Sequence, residues 1–265
     1  MTATIAAPAA AGCAADQPAA VVLEQVSKVY GRGPAAVPAL SGVSLRVAPG
    51  EFVCLVGASG CGKSTLLSLV AGLDEPTAGR IEVAGGGTPA LMFQEPALFP
   101  WLTVAGNVGL PLRLHGARRR ERRSRVAELL RTVHLEEFGR RRPHELSGGM
   151  RQRVALARTL GMASPVLLMD EPFGALDAMT RDLLHDELER IWQERRLTVV
   201  FVTHNVREAA RLGDRIVLLS SRPGRVVWEH PVAVPRPRRI DSPEVAGIAA
   251  QVTDRLRQEV RRHGR

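Results

Sequence analysis

Aromatic residues are scarce in this chain: 4% of its 265 residues, with Tyr30 the sole tyrosine. Binding of single-stranded nucleic acid leans on such rings for base stacking, so no nucleic-acid partner is expected despite a net charge of +9. Cysteine is scarcer still. Cys13, Cys54 and Cys61 stand at unrelated spacings, which argues against a disulfide framework or a clustered metal site and fits a reducing cytoplasm. No uninterrupted apolar run reaches the roughly 18 residues a membrane-spanning helix needs. The first twenty residues lack a basic leader and carry two prolines, Pro8 and Pro18. They read as a disordered Ala/Pro-rich tail (1–20), not as a signal peptide.

What is present is an ordinary globular composition, 45% apolar and 24% charged. The surplus of positive charge is local. From Arg113 to Arg142 there are eleven arginines against four glutamates. RRRERRSRVAELLRTV spaces its apolar residues as a helix would, so this stretch reads as the solvated face of an amphipathic helix. Contact with acidic lipid headgroups is the second reading.

Val21–Val29 and Gly42–Val47 read as short strands around the turn-rich GRGPAAVP. EFVCLV (51–56) is a nearly continuous apolar run between two glycines, the pattern of a strand buried on both faces. A helix over Ser64–Ala71 follows, then short strands at Arg80–Val83 and Ala90–Phe93. From about Thr103 to Leu160 the period is helical. Strand signals return at Val166–Met169, Val199–Thr203 and Ile216–Ser220, with helices between them. This alternation predicts an α/β fold, a parallel sheet covered on both faces, with a helical lobe inserted at about 96–160. A basic amphipathic helix is expected over 241–265.

The chemistry concentrates in GASGCGKST, residues 57–65. It matches the phosphate-loop pattern G-x-x-x-x-G-K-[ST] and sits between a buried strand and a helix. Gly57, Ala58, Ser59, Gly60, Cys61 and Gly62 form the turn, whose backbone N–H groups and following helix end make an anion nest. Lys63 suits the β- and γ-phosphates of ATP, Ser64 suits Mg²⁺, and Thr65 suits the α-phosphate. Cys61 lies close to a positive helix end that lowers a thiol pKa; a small filler residue is the equal alternative. VLLMDEP (166–172) ends a strand in two carboxylates at the sheet edge where the phosphate loop emerges. Asp170 is placed to hold Mg²⁺ and Glu171 to polarise an attacking water. His204 follows the strand VVFVT at the same edge, within reach of the γ-phosphate.

LSGGMRQRVALAR (146–158) resembles the signature motif of ATP-binding cassette proteins. Ser147 brings a hydroxyl, Gly148 and Gly149 bring backbone N–H groups, and the next helix brings a dipole. The resemblance, whose motifs cover about residues 21–220, implies an ATPase domain over 21–240: a RecA-like P-loop NTPase core with an N-terminal antiparallel β subdomain and an inserted α-helical subdomain. It implies further that Tyr30 stacks on adenine and that Gln94 senses Mg²⁺ and water. Asp177 would relay between two sites, and His204 would be the switch histidine. The signature of one copy would face the nucleotide of another, so a head-to-tail ATP-sandwich homodimer is implied. Integral-membrane permease subunits and, indirectly, a solute-binding protein would complete a transporter, with this chain on the cytoplasmic face of the inner membrane. PALFPWLTVAGNV, RRPHELSGGMRQR and the tail SRPGRVVWEHPVAVPRPR are similar to importers of nitrate, taurine and aliphatic sulfonates. Sulfonate is the first choice among these, although the segment from Ile81 to Gln94 is shorter than usual there. An ATPase acting on nucleic acid or ribosomes is the alternative of a different class; it lacks support in the absence of a long coiled coil or a second cassette.

Overall fold

A computed structural model describes residues 19–174 and 176–263. The predicted tail at 1–20, with Cys13, lies almost wholly outside the described residues.

Strand β1 (Val21–Tyr30) pairs antiparallel with β2 (Val37–Val47). The chain then enters β3 (Phe52–Gly57), turns through the glycine-rich loop and forms α1 (Lys63–Val70). Strand β4 (Ala78–Val83) returns to the other edge of β1 and completes a three-stranded antiparallel sheet, β2-β1-β4. Strand β5 (Ala90–Met92) precedes three helices, α2 (Val104–Leu114), α3 (Arg119–Thr132) and α4 (Gly148–Leu160). Then follow β6 (Val166–Asp170), α5 (Ala178–Arg195), β7 (Thr198–Val202), α6 (Val206–Leu212), β8 (Arg215–Leu219), β9 (Val226–Pro231) and α7 (Pro243–His263). The main sheet has the order β5-β6-β7-β3-β8-β9. It is parallel apart from the β8–β9 pair. The α/β class and the antiparallel subdomain expected from the sequence are therefore present.

Alternation along β3 explains why its apolar run has no polar gap. Phe52, Cys54 and Val56 face one core, shared with Met92, Met169, Phe201 and the three helices of the middle segment. Val53 and Leu55 face another, shared with α1 and the antiparallel sheet. Side chains on a strand alternate between faces, and here both faces are dry. Along α3 the buried residues are Val126, Leu129 and Leu130, the i, i+3, i+4 stripe that docks it on the rest.

Two expectations need correction. Strand β2 begins at Val37, inside the stretch read as a turn, because pairing with β1 continues as far as Tyr30↔Val37. Strand β9 had no strand reading. Its burial alternates only between half-buried and exposed residues, so it carries little of the apolar signal by which strands are recognised.

The C-terminal segment is strapped to the core by charge. Arg238 is buried and donates to the carbonyls of Ala210, Arg211 and Gly213 at the end of α6, and to those of Val232 and Val234. Cations are favoured at a helix C-terminus, where unpaired carbonyls gather. Beyond this strap α7 lays Val245, Ala249 and Val252 into the core.

Candidate active site

In the main sheet β3 lies between β7 and β8, and its carboxyl end carries the loop 57–62. The ends of β6 and β7 come out beside it, so Asp170, Glu171 and His204 reach the same edge. Gly62 takes φ +102° just before α1, and a Cβ there would lie 2.7 Å from Leu40 Cδ2 and 2.9 Å from the Ala39 carbonyl. Only glycine fits that crossing. A cleft of about 430 Å³ opens over the loop. Its walls include Gly57, Ser59, Gly60, Gly62, Lys63, Ser64 and Thr65 from the loop and helix. Tyr30, Gln94, Glu171 and His204 join them from four other segments.

Lys63 is buried, and its ammonium donates to the Gly57 carbonyl at 2.9 Å and the Ala58 carbonyl at 3.0 Å. Across the cleft Glu171 Oε2 lies 3.3 Å from Gln94 Nε2 and 3.0 Å from His204 Nδ1. Glu171 itself has φ +45°, while its amide donates to the Val202 carbonyl at 3.0 Å. A left-handed glutamate at a strand end is strained backbone held in place by its surroundings, a pattern frequent at reacting centres. Asp170 is buried at 8% exposure, and burial pushes its carboxyl up, while the Ser64 hydroxyl beside it works the other way. The serine hydroxyl and the carboxylate converge on one point and are hard oxygen donors, which fits Mg²⁺.

Not every anticipated residue lines this cleft. Ala58 contributes a carbonyl to Lys63, and Cys61 turns inward, 1% exposed. Burial raises the Cys61 thiol above its ordinary value, outweighing the nearby Lys63. The reading of an activated thiol is therefore corrected to that of a small filler residue. Ser147 is exposed and caps α4, accepting from Met150 N at 3.2 Å; Gly148 and Gly149 open that helix. Asp177 is exposed and caps α5, accepting from Thr180 N at 3.0 Å. None of these four is among the residues lining the cleft of its own chain. Tyr30 is 43% exposed at the cleft mouth, its hydroxyl 3.1 Å from Asp74 Oδ2.

Three lining residues escaped the sequence: Val37 and Ala39 of β2, and Arg222. Arg222, in the turn between β8 and β9, joins the cleft wall and donates from Nε to the Gly60 carbonyl at 3.2 Å. Gly224 in the same turn is hydrogen-bonded to β2 on both sides, Ser41 N to its carbonyl and its own N to Ala39 O. The turn thus clamps the phosphate loop against β2. SRPGR offered a turn signal, but nothing in it says that the turn folds back over residue 60.

The family model described as ABC transporter matches residues 40–174. The chain belongs to the ABC transporter family. This cassette is 45% identical to the nitrate import ATP-binding protein NrtD of Synechocystis sp., over 80% of its own length and 82% of that protein's. It is 47% identical to the taurine import ATP-binding protein TauB of Burkholderia pseudomallei (78% and 82% covered). To the aliphatic sulfonates import ATP-binding protein SsuB of Bacillus licheniformis it is 44% identical (85% and 89%). Among solved structures, the cassette MJ0796, a dimer in a post-hydrolysis state bound to ADP and Pi, superposes with TM-score 0.74 at 36% identity. That match covers 81% of this chain and all of the other.

Proposed function

We propose that this chain is the ATP-hydrolysing motor subunit of an importer for a small anion, with aliphatic sulfonates as the first choice and taurine or nitrate as alternatives. The observation that carries the hydrolysis is the convergence of Gln94 and His204 on one oxygen of Glu171, facing the phosphate loop across one cleft. Glu171 accepts the proton of the attacking water, and His204 and Gln94 orient its carboxylate. Lys63 and the backbone N–H groups of the loop bind the β- and γ-phosphates. Ser64 and Asp170 hold Mg²⁺, which neutralises phosphate charge when bound. In phosphoryl transfer the protein's work is largely positioning and charge neutralisation.

The signature at Ser147–Gly149 lies off its own cleft, which supports a head-to-tail homodimer in which each copy completes the other's site. A second surface supports the transport role. An apolar hollow of about 570 Å³ is lined by Leu73, Leu91, Phe93, Phe99, Leu114 and Met162. The backbone of Phe99 in its lining is held by buried Asn107, which accepts from Phe99 N at 2.8 Å and donates to the Phe99 carbonyl at 3.2 Å. A short helix of a membrane permease fits this hollow, so nucleotide-driven closure of the dimer pulls on the permease. No described helix is long and apolar enough to cross a membrane, and membrane attachment is assigned to that partner. Purification from membranes tests the proposal. Stable co-purification with a polytopic permease is expected; recovery with nucleic acid and no permease overturns it. Growth on a sulfonate, taurine or nitrate as sole sulfur or nitrogen source separates the substrates.

A further inference from the structure

Outside the nucleotide cleft and the permease hollow, a groove of about 500 Å³ lies between α2 and α3. Its floor is apolar, with Leu110, Val126 and Leu130 among its residues. Four arginines, Arg113, Arg122, Arg123 and Arg131, stand on its rim against one acidic residue, Glu136. Among the described residues none of these four arginines makes an ion pair, whereas Arg125 on the same helix pairs with Glu128 at 3.0 Å. Four uncompensated cations around an apolar floor repel one another, and a counter-ion with an apolar body relieves both defects together. Arginine is suited to the task, since its planar fork matches phosphate oxygens.

Leu110 also lines the hollow assigned above to the permease. The groove therefore continues from the membrane-directed surface, where Leu114, 75% exposed, lines the hollow and Trp101, 68% exposed, packs its ring on Phe99 of the same hollow. We propose that this groove seats an anionic phospholipid of the bilayer on which the transporter sits. Its phosphate lies among Arg113, Arg122, Arg123 and Arg131, and its apolar portion lies over Val126 and Leu130. The inference rests on the membrane placement argued under the proposed function. It goes beyond that reading, because it assigns to this chain a lipid contact of its own that needs no permease.

The test uses the purified full chain and vesicles of phosphatidylcholine, with and without phosphatidylglycerol, in co-sedimentation. Each arginine near an anionic surface contributes roughly a factor of five in partitioning. Replacing all four rim arginines by glutamine is therefore expected to cost on the order of a hundredfold or more in binding to the anionic vesicles. Ala127→Trp fills the groove from its exposed wall with every charge kept, and is expected to weaken binding by roughly tenfold through lost apolar contact. The triple variant Arg118→Gln/Arg119→Gln/Arg120→Gln removes charge from the same segment outside the groove and should cost much less than the rim variant. A thermal melt and ATP turnover in solution, unchanged in Ala127→Trp, show that the fold persists. Equal binding to neutral vesicles overturns the proposal. So does equal loss in the rim and outer variants with Ala127→Trp unaffected, which marks diffuse attraction only. A rim variant that keeps vesicle binding but loses the permease also overturns it, since the groove then serves a protein segment. A wild-type chain that binds anionic vesicles yet recovers no permease sinks the transport reading and leaves the lipid site standing.

Discussion

Gly224→Ala tests whether the β8–β9 turn sets the shape of the phosphate loop. A Cβ at Gly224 would stand 2.2 Å from the Cys61 carbonyl oxygen and 3.1 Å from Leu40 Cδ2. Ordinary carbon contacts are about 3.5 Å, so the turn, the loop or both must retreat by roughly 1 Å. Retreat of the turn strains two hydrogen bonds to β2, Ser41 N→Gly224 O at 3.0 Å and Gly224 N→Ala39 O at 2.9 Å. Each is worth about 1 kcal/mol net, and overpacking a tight site costs about 1–3 kcal/mol. A loss of about 2–3 kcal/mol corresponds to a Tm lower by roughly 5–10 °C for a domain of this size. Because Cys61 lies inside the loop, part of the displacement passes to the nucleotide site. The Kd for ATP should weaken by at least about tenfold, equivalent to about 1.4 kcal/mol. Gly247→Ala in α7 is the control: a Cβ there meets nothing within 4 Å, and the change should stabilise the helix by about 0.5–1 kcal/mol. Thermal melts with and without ATP, together with nucleotide titration, read both effects. If Gly224→Ala keeps the wild-type Tm and ATP affinity, the turn does not brace the loop and the reasoning fails.

Glu171→Gln keeps the side-chain shape and removes the base, so ATP turnover should fall by about 100-fold or more while an ATP-bound dimer accumulates in size-exclusion chromatography; normal turnover refutes the assignment. Arg222→Ala removes a cation from the cleft wall and its bond to Gly60, so ATP affinity should weaken by about three- to tenfold with kcat nearly unchanged, and Arg222→Lys should recover part of it. Glu208 is buried in a cluster with His185, Thr203 and Arg181. Burial raises its carboxyl, but the His185 and Thr203 contacts outweigh that and leave it below the ordinary 4.5. Its contribution to stability is therefore present above pH 4.5 and lost as pH falls through the folded value. Glu208→Gln should lower Tm at neutral pH by leaving the Arg181 guanidinium without its carboxylate partner, and the gap from wild type should narrow on acidification; a constant gap rules out this role.

Much of the site was legible because its parts are local. The phosphate loop is nine consecutive residues whose glycines, lysine and hydroxyls act through backbone geometry over a single turn. VLLMDEP and VVFVTH each couple a buried strand to a polar end, and sheet topology then brings those ends to one edge. The apolar runs of β3, β6 and β7 were visible because strands dry on both faces carry no polar gap. β9, which is nowhere fully buried, had no such signal. The start of β2 was hidden for another reason: Gly33, Pro34 and Pro38 mark turns locally, yet Val37 is held in the strand by its partner Tyr30.

The sequence by itself determined the phosphate loop, the strand-end carboxylates, the parallel α/β core and the family. Each of these follows from short-range pattern, where period, turn chemistry and residue type act within a few residues of one another. Tertiary structure alone decided that Glu171 is gripped between Gln94 and His204, that Cys61 is turned inward, and that Arg222 reaches back to Gly60. It also decided that four arginines of α2 and α3 share one apolar groove. Those facts depend on which distant segments meet and at what distance, and a chain's local preferences do not encode the separation between residues brought together only by folding.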